Sequence, residues 1–84
     1  DMETAVQGLS VRQDGASTVW SKAGSSMTFV VEGDNTAGRM RFGGQWHTYR
    51  SDQDHIVVST EAGAEVARFD ASDLGWDQFA ASKL

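Results

Sequence analysis

Two residue types are missing from this 84-residue chain. There is no cysteine, which excludes disulfides, thiolate metal sites and a cysteine nucleophile. It leaves the compartment open. There is no proline either, so glycine carries the punctuation of the chain. No apolar run approaches the roughly 18 residues that span a bilayer, and nothing at the start reads as a signal peptide. Internal repeats, low-complexity segments and long blocks of one charge are lacking as well, so no linker or charged tail is expected.

Length sets the next bound. A chain of this size forms one domain and buries only about 60% of the surface its unfolded form exposes, so an oligomer interface would add useful stability. Twelve acids against seven bases give a net charge of −5, which disfavours nucleic acid and anionic membrane as partners. Met2 behind a single Asp1 reads as a native start, and the expected location is then cytoplasmic. If Asp1 instead opens a processed form, that expectation reverses.

What is present is a series of short segments between breaks at Asp14-Gly15, Ala23-Gly24-Ser25-Ser26, Gly33 to Gly38, Gly43-Gly44, Ser51 to Asp54 and Glu61-Ala62-Gly63. Spacings of about five to ten residues suit strands and are too short for a series of helices. Leu9/Val11 and Met27/Phe29/Val31 alternate with a period near two, while Thr18-Val19-Trp20 and His55 to Thr60 are β-branched and aromatic. Glu65 to Phe69 reads as the last strand. Short turns between consecutive strands imply an antiparallel meander.

The period then changes. Asp70 is a suitable N-cap, and Trp76, Phe79, Ala80 and Leu84 fall on one face of a helix from Ala71 to about Lys83. This apolar stripe is expected in the core. Gly75 inside it costs about 1 kcal/mol relative to alanine. The competing arrangement has a loop over Asp70 to Trp76 and a strand over Phe79 to Leu84.

The stretch Gly38 to Arg50 holds three arginines, a histidine, the only tyrosine and one of three tryptophans. Its two halves read as strands around Gly43-Gly44, and two registers compete. With a two-residue turn, Arg41 faces Trp46, and Arg39, Arg41, Trp46, Thr48 and Arg50 share a face. A three-residue loop shifts the second strand by one, so that Trp46 joins Met40 in the core while Arg39, Arg41, His47 and Tyr49 form an exposed set. The second is the expected register, because pairing follows whichever arrangement buries the apolar residues.

Other chemistry is thinly supported. His47, His55, Asp52 and Asp54 are types that hold metals or exchange protons, but no HExxH, HxH or complete calcium loop contains them. A solvated turn is the expected reading, with no bound metal. No serine lies in a G-x-S-x-G elbow, and Gly33 to Gly38 lacks the lysine of a phosphate loop.

Two family resemblances follow from short motifs. Trp20-Ser21, Phe42-Gly43-Gly44 and Trp46 resemble small killer-toxin and antifungal proteins of βγ-crystallin fold, over about half the chain, but without their cysteines or a calcium motif at Thr48 to Asp52. Trp20-Ser21-Lys22, Val30-Val31-Glu32, Tyr49 to Asp52 and the Phe69, Trp76, Phe79 series are similar to motifs of small actinobacterial regulators, at different spacings. That second resemblance implies a protein partner.

The sequence therefore predicts one β-rich α+β domain over residues 1–84. It is an antiparallel meander of about six to seven short strands, a sheet or small barrel, with one C-terminal helix packed on it. The expected function is a non-enzymatic interaction module without a cofactor, binding a partner protein through Arg39, Arg41, His47 and Tyr49. A binder of small ligands, carbohydrate or single-stranded nucleic acid on the same face is the alternative. A metal-assisted hydrolase is the second.

Overall fold

The computed structural model describes residues 2–84. Asp1, on which the expectation about the start of the chain falls, lies outside them. Eight strands follow one another: β1 (Met2–Glu3), β2 (Leu9–Asp14), β3 (Ser17–Lys22), β4 (Thr28–Gly33), β5 (Ala37–Phe42), β6 (Gln45–Asp52), β7 (His55–Thr60) and β8 (Glu65–Asp70). The helix α1 (Asp73–Lys83) ends the chain. Each strand pairs antiparallel with the next, so the sheet order equals the chain order and β1 and β8 are its edges. This is the expected meander with one strand more than foreseen. The extra element is β1, whose two residues are too few to show a period. A Greek-key order, in which a fourth strand returns beside the first, is absent among the described residues.

One face of the sheet buries Leu9, Trp20, Phe29, Val31, Met40, Tyr49, Ile56 and Val58, and Trp76 and Ala80 of α1 pack into the same cluster. Among the described residues no helix is long and apolar enough to cross a membrane. Met27, expected to alternate inward with Phe29 and Val31, lies ahead of β4 and stays 46% exposed.

The helix begins two residues later than expected. The Ala71 amide donates to the Asp54 carbonyl at 2.9 Å, which ties Ala71 to the β6–β7 turn and keeps it out of a helical turn. Ser72 is therefore the N-cap, its hydroxyl accepting from the Gly75 amide at 3.1 Å. Asp70 contributes one step earlier, accepting from the Ser72 amide at 3.2 Å.

The β5–β6 register differs from the expected one. Arg41 pairs with Trp46 and Phe42 with Gln45, which leaves Gly43 and Gly44 alone in the turn. Both have positive φ, 60° and 75°, the requirement of a type I′ turn whose twist matches the flanking strands. Met40, His47 and Tyr49 consequently point into the core, while Arg39, Arg41 and Trp46 occupy the outer face. The expectation failed because it ranked Trp46 above His47 and Tyr49 as a core residue. Both polar rings find interior partners here, and turn geometry decides the parity.

Gly75 explains its own position in α1. A Cβ there would run into the Asp70 carbonyl oxygen and come within 2.8 Å of the carbonyl carbon. The helix thus approaches the end of β8 at a distance that only glycine permits. In an open helix, Gly75→Ala would gain about 1 kcal/mol. Here it is expected to lower the melting temperature, and a thermal melt that rises instead would refute this close approach.

Candidate functional site

Pairing across the sheet places all five arginines on the outer face. Arg12 faces Val19, Val19 faces Val30, Val30 faces Arg41 and Arg41 faces Trp46, one row across five strands. The adjacent row runs from Ser17 through Glu32, Arg39 and Thr48 to Ser59. Further along, Arg50 faces Val57, which faces Arg68. Val57 and Val19 are 1% and 6% exposed although they do not belong to the inner cluster. Arginine stems beside them supply apolar cover while the guanidinium heads remain in water.

The arginines differ in their partners. Arg39 donates from Nε to Glu32 at 2.8 Å, and its guanidinium carbon sits 4.1 Å from the centre of the Trp46 ring. Stacking on Trp46 therefore comes from the diagonal neighbour Arg39, although Arg41 is the residue that faces it across the hairpin. Arg68 bonds to Glu65 at 3.1 Å and lies 3.9 Å from Asp52, which Arg50 also approaches at 4.0 Å. The hydrogen bond from Arg68 holds the Glu65 carboxyl below its usual range. Arg41 has no carboxylate within 4.0 Å among the described residues.

Beside Arg41 lies a groove of about 360 Å³. It is formed by residues 26–28, Val30 and Phe42 to Gly44. Sequence reasoning missed Trp46, Met27 and Val30 as surface residues. The signal was available in the two-residue Gly-Gly turn and in the common parity of the arginines.

His47 and Tyr49, expected beside the arginines, lie behind the hairpin. The His47 ring stacks on Phe42 with centroids 4.0 Å apart and planes 5° apart, and its Nδ1 is buried without a hydrogen-bond partner. Tyr49 donates its hydroxyl to the Asp34 carbonyl at 2.6 Å. Its oxygen would lie 2.7 Å from a Cβ added at either member of the Gly33–Gly38 pair. The ring fills space that two missing side chains leave. Both residues hold the hairpin in place, and neither reaches the outer face.

The remaining candidates are separated. His47 is on the inner face, while His55 pairs with Asp52 and Asp70 on the outer one. Among the described residues no group of three or more His, Asp or Glu is placed to hold a metal ion. A second concavity, about 380 Å³, opens beside the start of α1. Its floor includes Trp20, Tyr49 and Trp76, with Glu3, Asp34, Asp73 and Asp77 around it and no lysine or arginine. Trp20 donates from Nε1 to Asp77 at 2.9 Å, fastening α1 to β3. No family model, curated protein or solved structure matches the chain.

Burial, and then the charge of Asp34, push the Tyr49 phenol above its ordinary value of 10.0. Above pH 10 the unfolded chain releases this proton while the folded chain keeps it. Stability is therefore expected to fall as pH rises from 10 toward the folded value. Tyr49→Phe should lose about 1 kcal/mol at pH 7 with its hydrogen bond, and should lose less than the wild type between pH 9 and pH 11. Denaturant melts at the three pH values check both, and equal alkaline losses would remove the assignment.

Proposed function

We propose that this domain is a non-enzymatic interaction module that binds a partner protein through the outer face of its sheet, centred on Arg39, Arg41 and Trp46. The observation that carries the reading is the segregation of all five arginines to that face, with Arg41 free of any carboxylate within 4.0 Å among the described residues and beside a partly exposed tryptophan. Arginine and tryptophan are the types that most often dominate binding energy at protein interfaces. The Arg39–Glu32 bond and the Arg39–Trp46 stack hold two of these groups in fixed positions, which lowers the entropy lost on association. His47 and Tyr49 support the same hairpin from the core side.

A nucleic-acid reading of this face is less well supported. Single-strand binders stack bases on open aromatic rings, and the Trp46 ring of the face is overlaid by Arg39. The net charge of −5 also opposes it.

Thr48 is exposed on the outer face and Gln78 is exposed on α1. A photo-crosslinking residue at Thr48 is expected to capture a specific protein that the same residue at Gln78 does not. Calorimetry with that purified protein should show Arg39→Ala plus Arg41→Ala weakening binding at least tenfold, about 1.4 kcal/mol. Capture from Gln78 alone, or affinity unmoved by the double substitution, would overturn the proposal.

A further inference from the structure

The concavity at the start of α1 lies on the inner face of the sheet, and its chemistry is the reverse of the arginine surface. Three large rings form its floor. Trp20 and Trp76 are stacked with planes 11° apart, and Tyr49 meets Trp76 edge-on at 83°. The strand residues among them belong to one side of the sheet: Val11 pairs with Trp20, and Val31 and Tyr49 share the inner cluster with that ring. Four carboxylates surround the floor from three places. Glu3 comes from β1, Asp34 from the turn between β4 and β5, and Asp73 and Asp77 from α1. Among the described residues no lysine or arginine lines the cavity.

Aromatic rings attract cations through the negative charge of their faces, and surrounding carboxylates add to that attraction. Local structure keeps these acids charged and in place. Asp34 accepts from the Thr36 and Ala37 amides at 2.8 and 3.1 Å, which holds its carboxyl below the usual range. Asp77 accepts from the Trp20 indole at 2.9 Å. Asp73 and Asp77, four residues apart on α1, bring like charges together, an arrangement that destabilises a helix on its own and that a bound cation relieves. Trp76 adds a free donor: it is 7% exposed, and its Nε1 is buried without a hydrogen-bond partner. A metal ion is a poor occupant, because no three of these acids are placed to hold one. A bare ammonium is strongly hydrated and would exchange its water for rings at high cost. A methylated ammonium has few such hydrogen bonds to lose and is the group that aromatic cages recognise. The volume of about 380 Å³ falls in the range of roughly 300–1,000 Å³ common to small-ligand sites. We infer that this concavity binds a methylated ammonium group over the rings of Trp20, Tyr49 and Trp76, with Asp34, Asp73 and Asp77 supplying the opposite charge. The site and the outer face of the sheet are separate surfaces, so neither reading depends on the other.

The test uses the full chain, labelled with nitrogen-15, and reads the three indole N–H signals, with Trp46 on the outer face as the internal control. Choline at millimolar concentration is expected to shift the Trp20 and Trp76 signals saturably and to leave Trp46 in place. Dimethylbutanol, which has the shape of choline with carbon where the charged nitrogen stands, is expected not to do so, and neither is potassium chloride at equal ionic strength. Asp73→Asn plus Asp77→Asn should weaken choline binding at least tenfold. Asparagine at position 77 keeps an acceptor for the Trp20 indole, so the fold is retained. Asp34→Asn, which likewise keeps an acceptor for its two amides, should weaken binding at least threefold from the other side of the cavity. A peptide carrying trimethyllysine and the same peptide with plain lysine identify the source of the group. Tighter binding of the methylated peptide than of choline assigns a modified side chain, and binding of choline alone assigns a free small molecule. No saturable shift of Trp20 or Trp76 at tens of millimolar choline, equal shifts with dimethylbutanol or salt, or affinity unmoved by the asparagine substitutions would overturn the assignment.

Discussion

A single eleven-residue helix has to cover the inner face of an eight-stranded sheet, and the fold depends on how Trp76 does this. Its ring stacks on Trp20 at 6.1 Å and meets Tyr49 and Phe69 edge-on at 5.2 and 4.9 Å. Those three residues come from β3, β6 and β8, so one side chain ties the middle of the sheet to an edge. Large rings are the economical solution, because each buries 150–250 Å². Removing such a ring costs about 3–5 kcal/mol, a large share of the 5–15 kcal/mol that holds a domain folded. Gly75 beside it makes the approach possible, and the Trp20–Asp77 hydrogen bond fixes the rotation of the helix. Phe79, one turn on, extends the cover by stacking on Phe69 at 4.4 Å.

With the rings drawn inward, parity leaves the alternate positions to solvent, and there the chain has placed its arginines. The two lysines lie elsewhere: Lys22 pairs with Leu9 at an inward-facing position, and Lys83 closes α1 with its ammonium about 5 Å from the Phe42 and Phe79 rings. Arginine differs from lysine in its planar fork and weaker hydration, which favour stacking and paired hydrogen bonds. An acidic chain that confines arginine to one face and surrounds its opposite concavity with carboxylates has two surfaces of unlike character. Net charge alone conceals this.

Much of the architecture was legible because strands and turns obey local rules. Period two in Leu9/Val11 and Phe29/Val31, the glycine breaks and the change of period after Asp70 are properties of short windows, and they led to the meander and its helix. β1 was invisible for the same reason, since two residues define no window. The N-cap was misplaced because the Ala71–Asp54 hydrogen bond is a contact between distant positions. The site was less legible. Its residues depend on one turn, and the preference for burying tryptophan over histidine outweighed the rule that Gly-Gly closes a two-residue hairpin. Phe42 and the Gly33–Gly38 pair were the missing facts: they give His47 a flat partner and Tyr49 a place to lie, and neither is visible before the strands are paired.

The same pairing sets Phe42 and Arg41 back to back, the ring on the inner face and the guanidinium on the outer one. The Phe42 ring stands among Phe29, Phe79 and His47, so the strand that presents Arg41 to solvent is anchored from behind. A strand end held by a packed aromatic cluster does not rearrange cheaply, because interiors of this density have few alternative packings. Met27, just ahead of the neighbouring strand β4, is exposed and unbranched, with several rotatable bonds, and stays adaptable where Phe42 is fixed. His47 contributes from within the core, by stacking flat on Phe42.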